Sequence, residues 1–378
     1  MDDIANETNG SVFLHEIVSC PNDCNINCTY CEWRKQKIAK LSEGEIKTAK
    51  RHFRRIRGLG DCLFGSPPII GYTGGEPLVH KELIYVLLDT YPDQYVRINT
   101  NGLLIDIDIQ NLLKSHGKTY MAISLDGNSL AMNQARFKAE SQFQTVVKNI
   151  DATLKSGICV QIMVTLNLCN IDGFIDYAQW LSTRYTDHIA NGSVIMCAHY
   201  VNTYGKHPEP TQAQRKTLAE KLEATDIPEI IRSVPWHYQR LAMYLRTQEN
   251  PGCTAFRWGR WSNFIGKDGR EIVTDGNMTS YSCGMYGLSE AAGMNINDPD
   301  IVSVFRNHRK SAVDTFIDKK LCGRCITDWN AIDSIINGKV KLTDAQSWFK
   351  LFRDPMIVSW LEKNQHRGVS CDSHSNIQ

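Results

Sequence analysis

The stretch SCPNDCNINCTYCEWRK, residues 19–35, puts four cysteines within a dozen positions. Cys24, Cys28 and Cys31 are spaced C-x3-C-x2-C, and Cys20 extends the series upstream as C-x3-C-x3-C-x2-C. Thiolates at such spacing serve zinc as well as iron. A closed zinc site needs a fourth ligand, which Cys20 would supply, but structural zinc normally pairs two C-x2-C elements. Three thiols with no fourth partner in register suit an incompletely coordinated metal. The residues just before them, VFLHEIVS (12–19), read as a β-strand, so the triplet opens at that strand's C-terminal end.

Five more apolar runs rich in β-branched and aromatic residues follow: PPIIGYT, YVRINTN, TYMAISL, VQIMVTL and SVIMCAHYV. Helical patterns lie between them. In the clearest, Phe143, Val146, Val147, Ile150 and Leu154 share one face and stop at Gly157. Repeated strand-then-helix implies an α/β fold of parallel strands joined by right-handed crossovers. Spacing alone leaves a doubly wound sheet and a β/α barrel both open. Either one gathers ligands at the C-terminal ends of its strands.

Bulk properties narrow the function. At 378 residues and 42% hydrophobic, the chain buries a large core, enough for one full domain and an appendage. A formal net charge of +1 with interspersed signs argues against nucleic acid and membrane surfaces and favours a small or peptide-sized substrate. The opening MDDIANETNG is acidic where a secretory signal would be basic then apolar, and no apolar run has bilayer-spanning length, so a cytoplasmic protein is expected. Thirteen cysteines in that compartment point to metal ligation rather than disulfides. Cys62, Cys159, Cys169 and Cys197, in or beside apolar segments, are expected to pack as small hydrophobes, and Cys371 in the polar tail as a bystander.

The later strand ends carry chemistry too. The second runs into YTGGEPLVH, where Gly74 and Gly75 allow close backbone approach and Glu76 offers a carboxylate. The third gives NTNG, with Asn99 and Asn101, and the fourth SLDG, with Ser124. These are short polar groups suited to hydroxyls and equally common in turns. Taken together, C-x3-C-x2-C, GGEP and these polar ends resemble the radical S-adenosylmethionine (SAM) superfamily over residues 12–205. The resemblance implies a partial (β/α)6 radical SAM barrel in which Cys24, Cys28 and Cys31 bind three irons of a [4Fe-4S] cluster. The fourth iron is left for the amine and carboxylate of S-adenosylmethionine. It further implies that Tyr30 sits against the adenine, that Gly74, Gly75 and Glu76 receive the methionyl amine, and that Ser124 touches the ribose, with Asn99 and Asn101 as further cofactor-binding candidates.

Beyond the barrel the composition changes. KHPEPTQAQRK reads as a linker, and residues 206–250 as a helical linker with helices around Gln212–Ala224 and Trp236–Arg246. Cys253, Cys283, Cys322 and Cys325 form a second set, divided by the hairpin-like FIGKDGREIVTDGNMTSYSC with its two Asp-Gly pairs. Four thiols match one fully ligated [4Fe-4S] cluster or a zinc ion. The arrangement resembles the α+β twitch form of the SPASM extension, over residues 251–330, and implies a single auxiliary cluster. The gap between Cys253 and Cys283 is longer than that pattern leads one to expect. Residues 331–378 complete the chain as C-terminal helices and a polar tail.

The implied enzyme is a radical SAM oxidoreductase, a dehydrogenase or a peptide or small-molecule maturase. It cleaves S-adenosylmethionine reductively, abstracts hydrogen from its substrate, and passes the remaining electron to the auxiliary cluster. A reductase such as flavodoxin or ferredoxin is the expected partner. Two alternatives stand beside it: a redox-neutral isomerase, epimerase or nucleotide-modifying enzyme, and a non-catalytic zinc-binding interaction protein. The short segment before Val12 favours a small molecule, or a peptide bound without a recognition domain. His199, Tyr200 and Asn202 at the sixth strand's end are candidates for substrate contact or acid-base work. FRWGRW (256–261) is either pocket lining or appended core. The radical needs a water-excluded pocket, and the twitch segment with the C-terminal helices is the expected lid.

Overall fold

The computed structural model describes residues 14–19, 23–31, 40–64, 68–200, 208–248 and 340–364, the strands at 260–265, 278–281 and 294–295, and isolated positions between 299 and 335. The expected strands are all present: β1 (Leu14–Ser19), β2 (Ile69–Gly74), β3 (Tyr95–Thr100), β4 (Thr119–Ser124), β5 (Cys159–Leu166) and β6 (Val194–Tyr200). Between them run α1 (Glu43–Phe64), α2 (Lys81–Thr90), α3 (Ile107–His116), the short α4 (Leu130–Asn133), α5 (Glu140–Lys155), α6 (Phe174–Arg184) and α7 (Thr186–Ala190). Local chemistry sets several boundaries. The Asp106 side chain caps α3 by accepting from Ile109 N, and Gly117 ends it at φ 79°, a left-handed conformation that suits glycine.

Each of the first six strands pairs in parallel with its sequence neighbour. The spatial order β6-β5-β4-β3-β2-β1 never reverses. A doubly wound sheet reverses at its switch point, so the choice left open by spacing falls to the singly wound, partial (β/α)6 barrel. One strand face meets the helices: Tyr72 of β2 packs edge-on against Phe53 of α1 with centroids 6.0 Å apart. Ile98, Met121, Ile123, Val160, Ile162, Val164 and Met196 share that outer face and are fully buried. The inner face is more polar. Arg97 on β3 reaches Met163 Sδ on β5 at 3.7 Å, across the intervening strand, as a concave inner surface allows.

The segment expected as a helical linker is built into the outer layer instead. Helices α8 (Gln212–Leu222), α9 (Glu229–Arg232) and α10 (Pro235–Thr247) occupy it. The Tyr238 hydroxyl of α10 donates to Met196 O of β6, and Ile230 N of α9 donates to Ser182 Oγ of α6. Tyr238 and Leu241 are buried, so these helices cover the last strands rather than bridge two bodies. Past α10, β7 (Arg260–Ile265) adds to β1 in parallel, and β8 (Met278–Tyr281) and β9 (Met294–Asn295) continue antiparallel. The expected hairpin is thus present as the β7–β8 pair, while its connection lies outside the described residues.

The C-terminal helices among the described residues do not form a lid. In α11 (Leu342–Trp348), the 3-10 turn Lys350–Arg353 and α12 (Pro355–Asn364), contacts go to the N-terminal ends of the strands. Phe349 packs edge-on against Tyr120 at the start of β4 with centroids 5.5 Å apart, Tyr95 at the start of β3 donates to Asp354, and Lys350 N donates to Gly192 O just before β6. These helices close the end opposite the cysteines, and the expectation drawn from the need to exclude water is corrected. Among the described residues no helix is long and apolar enough to cross a membrane.

Candidate functional site

The C-terminal ends of β1 to β4 converge on the cysteine loop, and hydrogen bonds from two of them fix it. Glu76 N, after β2, donates to Asp23 O at 2.7 Å. Gly75 lies so close that an added Cβ would sit 2.3 Å from Asp23 O, so only glycine allows this contact between two backbones. The Asp23 carboxylate meets His80 Nε2 at 2.7 Å, and Asn101 Nδ2, after β3, donates to Asn25 Oδ1 at 2.7 Å. Farther along the loop, Thr29 N donates to Ala135 O at 2.8 Å and Cys31 N to Cys28 O at 3.1 Å.

All three thiols are partly exposed. Burial pushes Cys24 up from the ordinary thiol range and Cys28 up to about 11. Cys31 adds to both shifts, because each thiolate disfavours the next. Iron would have to displace those protons on binding. Among the described residues no three His, Cys, Asp or Glu side chains converge on one point. A four-iron cluster takes its thiolates on separate irons and makes no such demand.

Glu76 is buried, and its oxygens are already engaged. Oε1 accepts from Leu78 N at 3.0 Å and Thr100 Oγ1 at 2.7 Å, and Oε2 from Asn101 N at 2.6 Å. Burial outweighs these donors and holds its carboxyl above the usual range. Gly74 has φ 159°, and Asn101 also accepts from Leu103 N at 3.0 Å. Asn99 is an inner-face residue, opposite in phase to Ile98, and its buried Oδ1 accepts no hydrogen bond among the described residues. Ser124 ends β4 half-buried.

Alternation separates the two described candidates on β6. Thr165 pairs with His199 and Leu166 with Tyr200. Tyr200 faces outward against Tyr244 of α10, with centroids 5.8 Å apart, so His199 is on the inner face and Tyr200 is part of the helix packing. Asn202, Cys20, Cys253, Cys283, Cys322 and Cys325 lie outside the described residues.

Two residues that the sequence reading did not single out belong to this site. Asp126, fully buried two positions past β4, accepts from the Tyr30 hydroxyl at 2.6 Å, from Arg136 Nε at 3.2 Å and from Thr165 N at 2.9 Å. Burial above all keeps the Tyr30 phenol far above its ordinary range, so it remains a donor.

Residues 18–181 match the model of the Radical SAM superfamily. The protein carries a radical SAM domain. This match falls within the region where the motifs carried the resemblance. A probable GTP 3',8-cyclase of Methanocella arvoryzae is 30% identical to the chain over 173 residues, 43% of this chain and 52% of that relative. The chain thus spans about half of that relative's length. Streptococcus suis SuiB bound to S-adenosylmethionine superposes with TM-score 0.54 at 12% identity, over 92% of this chain and 74% of that one. Native anSMEcpe with bound AdoMet and the Cp18Cys peptide does so with TM-score 0.54 at 15% identity, over 93% and 99%. These two likenesses establish the shared fold.

Proposed function

We propose that this radical SAM protein uses Cys24, Cys28 and Cys31 to hold a [4Fe-4S] cluster with one open iron, and there cleaves S-adenosylmethionine to start a hydrogen abstraction. The observation that carries the reading is the clamping of a three-thiol loop onto the Gly-Gly-Glu turn, through Glu76 N to Asp23 O, and onto the end of β3, through Asn101 to Asn25. The residues fit the cofactors: three partly exposed thiols for three irons, and the open acceptor Asn99 Oδ1 on the inner face. When bound, the cluster supplies the electron that splits S-adenosylmethionine into methionine and a 5′-deoxyadenosyl radical.

The chain's own residues bind and orient. Backbone carbonyls of the Gly74–Gly75 turn offer acceptors to the methionyl ammonium, and Glu76 fixes that turn relative to β3. Asn99, Asn101 and Ser124 supply polar groups toward the nucleoside, and Tyr30 an aromatic face. His199 is the β6 candidate for substrate contact. Cys253, Cys283, Cys322 and Cys325 are proposed to hold an auxiliary cluster; it would take up one electron as the substrate radical releases a proton, which would make the net reaction an oxidation of a small molecule or peptide. A flavodoxin- or ferredoxin-type reductase is the proposed electron source. The peptide-bound neighbour supports a peptide substrate. The similarity to a probable GTP 3',8-cyclase favours a second reading, redox-neutral chemistry on a nucleotide.

Replacing Cys24, Cys28 or Cys31 by Ala is expected to remove about half of roughly eight irons per chain and abolish S-adenosylmethionine cleavage. Full cleavage by any of these variants would refute the ligand assignment. Cys322→Ala and Cys325→Ala should keep cleavage to 5′-deoxyadenosine and lose turnover. A wild-type ratio of 5′-deoxyadenosine to product would overturn the electron-accepting role. Product mass separates the two readings, since oxidation leaves a product two hydrogens lighter and isomerisation leaves mass unchanged.

A further inference from the structure

We propose that Arg136 is a positioning residue for the cluster: held by Asp126 and Tyr30, it keeps a positive charge against Cys28 and raises the reduction potential there. The inference rests on reading Cys24, Cys28 and Cys31 as cluster ligands.

Arg136 is 7% exposed and Asp126 is fully buried. Asp126 Oδ2 accepts from Arg136 Nε at 3.2 Å and Oδ1 from Nη2 at 3.4 Å, so two prongs fix the guanidinium plane. The remaining nitrogen, Nη1, lies 3.9 Å from Cys28 Sγ, at the outer limit of an N–H···S contact. The guanidinium carbon lies 5.6 Å from the centre of the Tyr30 ring, and the Tyr30 hydroxyl donates to the same Asp126. One ion pair thus ties together the residue between two of the cysteines, one cysteine sulfur and the turn after β4.

Packing alone gives no reason for charge here. The turn is already held through its backbone, by Asp126 N donating to Asn133 Oδ1 and Asn170 Nδ2 donating to Asp126 O. A buried ion pair carries a desolvation cost that an apolar pair would avoid. What the pair adds is direction, with its positive end toward Cys28 and its negative end away. Reduction adds one electron from an external donor to the cluster, so a cation and an N–H beside a ligating sulfur favour the reduced state.

The test is a potentiometric titration of the reconstituted full chain with dithionite, following the electron paramagnetic resonance signal that changes on adding S-adenosylmethionine. Arg136→Met should make that cluster at least tenfold harder to reduce, about 59 mV more negative for a one-electron couple. Arg136→Lys keeps the charge and should recover most of the shift. An unchanged potential in an Arg136→Met protein that retains its iron would overturn the proposal, as would a Lys variant no better than Met. Should Arg136→Met lose its iron, Asp126→Asn decides. It leaves the cation uncompensated and should move the potential positive, whereas no shift or a negative one overturns the role. Wild-type protein without this cluster would overturn the ligand assignment itself, and a wild-type cluster whose potential ignores these variants overturns only the role of Arg136.

Discussion

Glu76 shows how much of a site is internal scaffolding. A carboxylate has about four lone-pair sites, and here three are taken by Leu78, Thr100 and Asn101. Its main task is therefore to tie the ends of β2 and β3 together, leaving at most about one acceptor position for a ligand ammonium. Burial holds its carboxyl above 4.5 despite those donors. A group whose folded-state pKa is raised contributes stability that is fully present below its unfolded value and lost as pH rises through the folded value. Glutamine does not titrate. The stability of the cluster-free wild type relative to Glu76→Gln, measured by urea unfolding, should therefore decline from about pH 4.5 upward and level off above the raised value. A difference that stays flat across this window would show that the buried carboxyl is not held up. With iron restored, the same variant should keep its cluster and bind S-adenosylmethionine more weakly, as equilibrium dialysis would show.

Between elements, the decisive contact is that of two loops, the turn after β2 and the loop after β1. Gly75→Ala puts a methyl 2.3 Å from Asp23 O and 2.7 Å from Asp23 C, both backbone atoms with no rotamer to yield. Overpacking of this kind costs about 1–3 kcal/mol. Relaxation must displace either the turn or the cysteine loop, so lower iron per chain and a lower melting temperature are expected, with the strands intact by circular dichroism. Wild-type iron loading in this variant would mean that the two loops are not coupled. All six barrel strands were legible because each is a short β-branched run bounded by turn residues, and the triplet and GGEP were legible because they are local. The Asp126–Arg136 pair was not. Arg136 sits in a polar stretch that reads as surface, and only the return of the chain through α4 brings it over Tyr30. Nor does the sequence order say which end of the barrel a distant helix covers, so the place of α11 and α12 is not legible in it.

The molecule is polarised along its strands. The cysteine loop, the Gly-Gly-Glu turn, Asn101 and Asp126 all gather at the C-terminal ends, while the C-terminal segment closes the N-terminal ends through Phe349, Lys350 and Asp354. β7 lengthens the sheet along β1, in register from Leu14–Arg260 to Ser19–Ile265, so the proposed auxiliary-cluster region joins the strand that leads into the cysteine loop. Stability of the closed end and chemistry of the open end should then be separable. Phe349 is 1% exposed and stacked edge-on with Tyr120, itself 3% exposed. Phe349→Ala removes a buried ring, a change that costs about 3–5 kcal/mol. Its unfolding midpoint in urea should fall accordingly. At a temperature where the variant is still folded, its iron content and its rate of S-adenosylmethionine cleavage should match wild type, because no hydrogen bond of the cysteine loop passes through Phe349 among the described residues. Loss of iron in the folded variant would mean that the two ends are coupled through the inner face, by way of Tyr120, Arg97 and Met163, and that the plug helps to shape the site.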